Sequence, residues 1–313
     1  MKNILVTGAS GFFGRAVAEE LQKLPDSYRF TGVSQTERPQ PADARWNFLQ
    51  TDLLDHSTHR DLFTRTKPET CIHLAWHVPP KEFWTSPENE EWLVASVNLF
   101  REFCEAGGKT FIGAGSCAEY EWADGTVLNE KTTPLRPATL YGACKNRLRE
   151  EITALRDQSY PGVTIIWPRI AYFFGEGEPA QKLFSRLAEC LRKQEPMFLL
   201  ARSASRPYAH VRHLGQCYAA LAAGEFSDAT FNLSGGHQRS FEEIVRFMAT
   251  ILGADDGVIT FGAEKDHKGE PLNLEISTAG FQHYLGYEIE DSFFEDVRKF
   301  LGVAAKTDNV GML

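Results

Sequence analysis

The chain has 313 residues, 42% of them hydrophobic, enough to bury a sizeable core in one large or two closely joined domains. A net charge of -9 with no long basic run argues against nucleic acid as a partner, and no apolar stretch approaches the length that spans a bilayer. Cys71, Cys104, Cys117, Cys144, Cys190 and Cys217 form no CxxC pair, so neither a disulfide framework nor a metal site is expected; with an N-terminus that opens on a strand pattern, the expected home is the cytoplasm.

Residues 3–7 are a short apolar run that meets Gly8, Ala9, Ser10, Gly11, Phe12, Phe13 and Gly14 and continues into the amphipathic segment 15–24. Strand, glycine turn and helix in that order let the backbone turn sharply and approach a pyrophosphate, whose charge then sits at a helix N-terminus. The spacing GxxGxxG is one residue off the commoner dinucleotide fingerprint, so its weight comes from the strand before it and the helix after it. The next strand, 29–33, ends in Ser34, Gln35, Thr36, Glu37 and Arg38, where an NAD-binding protein offers a carboxylate to the adenosine ribose. Ser34 in that place, with Arg38 within reach of a 2'-phosphate, favours NADP(H). Glu37 would fill the carboxylate role, and favour NAD(H), if the strand end is shifted.

Strands at 45–49 and 70–74 follow, the first leading to Asp52 and Leu53, the second ending in Leu74, Ala75, Trp76 and His77. Strands alternating with helices predict a Rossmann-like, doubly wound parallel α/β sheet with the cofactor across the strands' carboxyl ends. Asp52 and Ala75 then lie on the ligand edge, while His77 is read as a loop residue. A helix at 90–106 precedes a fifth strand at 110–115 that ends in Ser116, a candidate hydrogen-bond donor to a substrate oxygen. Beyond it, Tyr141 and Lys145 stand at i and i+4 and emerge on one face of a helix over 140–155. A cation beside a phenol favours the phenolate, so Lys145 is expected to bring Tyr141 down toward the working range of a general acid or base.

A glycine loop, then Ser116, then Tyr141 and Lys145 resembles the extended short-chain dehydrogenase/reductase family, in particular its nucleotide-sugar branch. The resemblance runs from TGASGFFG at Thr7 through GSCAEY at Gly115 and YGACK at Tyr141 to PRIAYFFGEGE at Pro168. It implies that Gly8, Gly11 and Gly14 cradle the pyrophosphate and that Asp52 and Leu53 flank the adenine. Ser10, Phe12, Phe13, Ser34, Arg38, Leu74, Ala75 and Pro168 would complete the cofactor site. Tyr141 would give or take the proton, Ser116 would be its partner at the substrate oxygen, and Lys145 would hold the nicotinamide ribose. Arg206, in a stretch similar to the family's RDFxHV, would bind the substrate diphosphate, although Pro207 replaces the usual aspartate. Tyr172 stands where the family's RxxN element has an asparagine that contacts substrate.

Departures from the family narrow the reaction. Sugar dehydratases place Asp-Glu after the catalytic Thr or Ser, whereas here Cys117 and Ala118 occupy those positions, which weighs against dehydration. A cysteine two residues after the serine marks 3,5-epimerase/reductases, and Cys117 is one residue too early. The run Arg169-Ile170-Ala171-Tyr172 resembles 4-ketoreductases similar to CDP-abequose synthase. The expected activity is therefore NADPH-dependent reduction of a nucleotide-linked 4-keto-6-deoxy sugar. An NAD-dependent 4-epimerase is the alternative, and a nucleotide-sensing regulator is disfavoured by the intact Ser116, Tyr141 and Lys145.

Strands at 164–167 and 230–233 and a helix at 213–223 are expected to return to the sheet, and helices at 178–193, 241–252 and 293–301 to build a smaller α+β substrate-binding domain. The expected division is 1–168 plus 211–234 for the dinucleotide and 169–210 plus 235–303 for the substrate, with 304–313 a tail. The helices at 90–106 and 140–155 resemble the pair through which the family dimerises, so a homodimer is expected.

Overall fold

The computed structural model describes residues 1–36, 43–80, 82–123, 125–199, 201–263 and 271–303. At its centre is a sheet of β1 (Lys2–Thr7), β2 (Tyr28–Ser34), β3 (Trp46–Gln50), β4 (Thr70–His73), β5 (Thr110–Ile112), β6 (Thr164–Ile170) and β7 (Ala229–Leu233). Their order across the sheet is β7-β6-β5-β4-β1-β2-β3, with every neighbour parallel. The short stretch Gly115–Ser116 pairs with β6 opposite Arg169 and Ile170.

Both faces of this sheet are covered, which is why its strands read as continuous apolar runs rather than alternating ones. On β1, Ile4 and Val6 enter one core while Leu5, pointing the other way, enters a second; on β6, Ile166 joins the first and Ile165 and Trp167 the second. The first core is closed by α1 (Phe12–Leu21) and α6 (Val211–Ala223), the second by α2 (Ser57–Thr66), α3 (Glu88–Glu105) and α4 (Leu140–Ser159). A third core gathers Phe184, Leu187 and Leu191 of α5 (Leu183–Lys193), Ile244 and Met248 of α7 (Phe241–Leu252) and Val297 of α9 (Phe293–Phe300) beneath the parallel pair Met197–Leu199 and Ile259–Phe261.

The structure corrects three expectations. The fifth strand is not continuous over 110–115: Gly113 donates its N–H to Ile166 (2.9 Å), but its carbonyl accepts from the Tyr218 hydroxyl (2.7 Å), so the ladder breaks and restarts at Gly115. The helix expected at 178–193 starts five residues later, because the Glu178 carboxylate reaches forward to accept from Ser185 N–H (2.6 Å) and Pro179 stands between. The helices α2 and α8 (Ala279–Leu285) were not foreseen; α2 buries only His59, Leu62 and Phe63, too thin an apolar stripe to read from sequence. Arg38, Glu37 and the tail 304–313 lie outside the described residues. Among the described residues no helix is long and apolar enough to cross a membrane, and no cluster of His, Cys, Asp or Glu could hold a metal ion.

Candidate active site

The strand order reverses between β1 and β4, and the carboxyl ends of those two strands meet the glycine turn. Gly8 has φ 67°, and a Cβ there would come within 2.8 Å of Ala75 N; a Cβ on Gly14 would lie 2.1 Å from the Gly8 carbonyl oxygen. The turn is thus pressed between the end of β4 and its own helix, and Gly11, the residue that starts α1, places no side chain over the helix's first N–H groups. Behind it is a buried chain of hydrogen bonds. The Thr7 hydroxyl pairs with His73 Nδ1 (2.8 Å) and accepts from Leu74 N–H (3.1 Å) and Ala75 N–H (3.2 Å), while His73 Nε2 meets the Ser96 hydroxyl (2.9 Å). Burial holds the His73 ring down to about 3, with the Lys145 charge acting the same way, so the ring is a neutral strut.

Arg15, one residue past the turn, donates to Ser10 O (3.0 Å) and to Gly177 O (2.5 Å), tying the turn to the loop that follows Phe174. Phe12 and Phe13 lie ring to ring at 5.3 Å, and Phe13 meets Phe173 edge-on at 6.3 Å. At the carboxyl end of β2, the Ser34 hydroxyl donates to Thr36 O (2.6 Å) and accepts from Thr36 N–H (3.2 Å), closing its own turn. Asp52 likewise accepts from Leu54 N–H (3.0 Å); Leu53 is buried, with its carbonyl on His59 Nε2 (2.9 Å).

Ser116, Tyr141 and Lys145 come together at the next carboxyl edge. Ser116 is buried and extended (φ -146°, ψ 146°); its hydroxyl accepts from Ala118 N–H (3.2 Å), and its own N–H donates to Glu119 Oε1 (2.8 Å), a capping box that starts the single helical turn Cys117–Glu119. Tyr141 enters on the first turn of α4, which Thr139 caps by accepting from Gly142 N–H (3.1 Å), and its phenol lies beside Ser116. Burial raises the phenol's affinity for its proton, the Ser116 hydrogen bond opposes this, and the Cys117 and Glu119 charges add to it. This corrects the expectation drawn from i, i+4 spacing. The Lys145 ammonium sits instead 3.7 Å from the centre of the Trp76 ring and 5.9 Å from that of Tyr141. Lys145 itself is buried, which pushes it down to about 7 against the pull of the Glu119 charge.

Aromatic rings wall this centre. Trp76, Phe83 and Trp84 stand edge-on to Tyr141 at 6.5, 5.0 and 5.8 Å, and Trp84 contacts Trp122 at 6.0 Å. The Trp76 indole N–H donates to Asn89 Oδ1 (2.8 Å), whose amide nitrogen holds the carbonyls of Phe83 (2.7 Å) and Ser86 (2.8 Å). One buried asparagine therefore sets both the indole and the loop. His77 is a loop residue, its Nδ1 2.5 Å from the Glu88 carboxylate.

The remaining candidates fall into two places. Pro168 is buried in β6 opposite Phe231, while Tyr172 and Arg206 meet one another: the guanidinium carbon lies 5.6 Å from the Tyr172 ring centre, and the same arginine donates to Ser205 O and Leu272 O, both at 2.8 Å. Tyr172 also packs on the small core that contains Cys117 and Trp122, so this pair adjoins the Ser116 turn. Arg206 is buried, with the carbonyls of Ser205 and Leu272 among its anchors.

Sequence reasoning missed Thr7, His73, Ser96, Asn89, Glu119 and the aromatic wall. Only the wall had a signal, the density of rings at Trp76, Phe83 and Trp84, and nothing in that density names Tyr141 as their target.

Comparison with known proteins gives the same picture. Residues 4–250 match the NAD dependent epimerase/dehydratase family. The chain belongs to that family. It is an enzyme of the extended short-chain dehydrogenase/reductase type, with epimerase/dehydratase-class activity and NAD(H) as the family's cofactor. The chain is 24% identical over 303 residues to an uncharacterized UDP-glucose epimerase, YtcB, of Bacillus subtilis (strain 168), covering 91% of this chain and 92% of that one. To dTDP-6-deoxy-L-talose 4-dehydrogenase (NAD(+)) of Aggregatibacter actinomycetemcomitans it is 23% identical over 199 residues, 63% of this chain and 71% of the relative. The structure of MoeE5 with UDP-glucuronic acid and NAD superposes with a TM-score of 0.83 at 22% identity, over 96% of this chain and 98% of that one, which shows the shared fold. The residues fit the family's cofactor: a glycine turn too tight for side chains, an uncapped α1 and the buried Lys145 beside Tyr141.

Proposed function

We propose that the protein reduces a nucleotide-linked 4-keto-6-deoxy sugar with NADPH, Tyr141 giving the proton. The observation that carries this reading is the half-buried Tyr141 on the first turn of α4, with its phenol beside the buried Ser116 and the buried Lys145 one helical turn on. The bound cofactor supplies the hydride. Ser116 and Tyr141 hold the substrate's carbonyl oxygen, and the Tyr141 O–H, its proton held firmly by burial, passes to that oxygen as negative charge develops there. Lys145 holds the cofactor ribose and keeps a positive charge close to the phenol as it loses its proton. Arg206, stacked on Tyr172, is the group for the substrate diphosphate. Gly8, Gly11 and Gly14 carry the cofactor pyrophosphate, with Asp52 and Leu53 at the adenine.

Two features favour a reductase over a dehydratase. Cys117 and Ala118 are buried and bring no acid or base to the substrate, and the neighbouring Glu119 is spent on the core side of the turn. The relative named as a 6-deoxy-L-talose 4-dehydrogenase performs the same hydride exchange in the opposite sense. A 4-epimerase is the second reading, favoured by the full-length match to a UDP-glucose epimerase. Stoichiometric cofactor oxidation with a panel of nucleotide 4-ketosugars tests the first; conversion of a nucleotide hexose to its 4-epimer without net cofactor oxidation replaces it with the second.

NADP(H) preference rests on Ser34 in the carboxylate's place and on Arg38. Arg38→Ala should weaken NADPH by roughly 1.5 to 3 kcal/mol and leave NADH nearly unchanged, measured by titration of each cofactor. Equal losses would make NAD(H) the working cofactor.

The division into a dinucleotide part and a substrate part is proposed along the boundaries given above, and assembly as a homodimer through the outer faces of α3 and α4. Val94, 52% exposed on α3, belongs to that face. Light scattering at micromolar concentration should give twice the chain mass; a monomer mass would refute the interface.

A further inference from the structure

We propose that Glu119 is a positioning residue for the reaction, a buried carboxylate that fixes the main chain carrying Ser116 and supplies the negative charge behind the Tyr141–Lys145 pair. The inference rests on the reading of Ser116, Tyr141 and Lys145 given above. Glu119 is fully buried and accepts three N–H groups: from Ser116 (2.8 Å) and Trp167 Nε1 (3.0 Å) on one oxygen, and from Arg169 Nε (2.7 Å) on the other. Arg169, itself buried on β6, donates to the Tyr120 hydroxyl (3.0 Å), which in turn donates to Asn232 Oδ1 on β7 (2.7 Å). Ser116 is therefore braced against two strands of the sheet through one side chain. A Cβ added to Gly115 would stand 2.8 Å from Glu119 Oε1 and 2.3 Å from Trp167 Nε1, so the glycine is what lets the carboxylate and the indole close on the Ser116 main chain.

Burying an ion pair gives little net stability, since desolvation offsets most of the attraction; geometry and charge are what it contributes here. The groups that face it can be named. Arg169 on β6 pairs with it, Tyr120 bonds to Arg169 rather than to the carboxylate, Glu130 approaches Tyr120 from beyond Asn232, and from α4 Tyr141 and Lys145 both feel the Glu119 charge. Cys144 beside Lys145 is a buried thiol, and His73 on β4 is neutral. The Glu119 charge opposes the loss of the Lys145 ammonium that burial promotes.

The test is Glu119→Gln, which still accepts from Ser116 and Trp167 but carries no charge, and Glu119→Gln/Arg169→Met, which keeps a foldable core if the lone guanidinium unfolds the single variant. Cofactor affinity is measured against pH by fluorescence titration, and kcat against pH with the 4-ketosugar nucleotide. In both variants the alkaline loss of cofactor affinity should move toward lower pH by about tenfold in proton concentration, and kcat should fall while KM for the sugar nucleotide holds. Glu119→Asp keeps the charge but draws it back from the Ser116 N–H, so it should lower kcat and leave the pH limb in place. A residue that merely stabilised the fold would lower the melting temperature without moving the limb; an unmoved limb and a parental kcat in the Gln variants would overturn the proposal. Because the cofactor titration needs no sugar, it answers even if no 4-ketosugar is turned over, which would overturn the functional reading and not this one.

Discussion

Replacing Tyr141 by Phe should cut single-turnover reduction of a 4-ketosugar nucleotide by about 10²- to 10⁴-fold, the range associated with a positioned general acid. The ring would keep its edge contacts with Trp76, Phe83 and Trp84, so packing and fold should survive. What disappears is the O–H that lies beside Ser116. Because burial raises that phenol's proton affinity, the parent enzyme should show no loss of the acid form across neutral and moderately alkaline pH. Cofactor affinity should barely change in this variant. Reduction at the parental rate by Tyr141→Phe would mean that the proton comes from elsewhere and would remove the mechanism.

Lys145→Met should damage two properties at once. Turnover falls because the positive charge beside Tyr141 is gone, and cofactor affinity falls by about ten- to a hundredfold, as expected for a lost charge-assisted hydrogen bond. The parent carries its own control. Burial pushes Lys145 down to about 7, so the free protein loses the ammonium as pH rises through that value, and cofactor affinity should decline above it. In Lys145→Met the same titration should be flat. Stability should move the other way. The folded-state value lies below the unfolded one, so the buried charge costs stability fully below about pH 7, and the cost fades as pH rises toward the ordinary lysine range. Methionine removes it, and the variant should melt at or above the parent at pH 6. A lower melting point with unchanged cofactor binding would show Lys145 to be structural.

The sequence by itself determined the sheet and the glycine turn at its centre. Apolar runs at 3–7 and 164–167 could only be strands covered on both faces, and GxxGxxG between a strand and a helix left little choice of turn, since Gly8 and Gly14 sit where a Cβ would strike backbone. Tyr141 and Lys145 were legible because helical spacing is a local property. Their electrostatics were not. A spacing of four says nothing about an indole arriving from the end of β4, and Trp76 takes the Lys145 ammonium that local reasoning assigned to Tyr141. Glu119 was equally hidden: one residue past Cys117 and Ala118, it looks like a surface carboxylate until Arg169 and Trp167 from β6 and the Ser116 N–H close around it. Proton affinity and ion pairing depend on desolvation and on charges brought together by strands far apart in the chain, so only the tertiary structure could decide them.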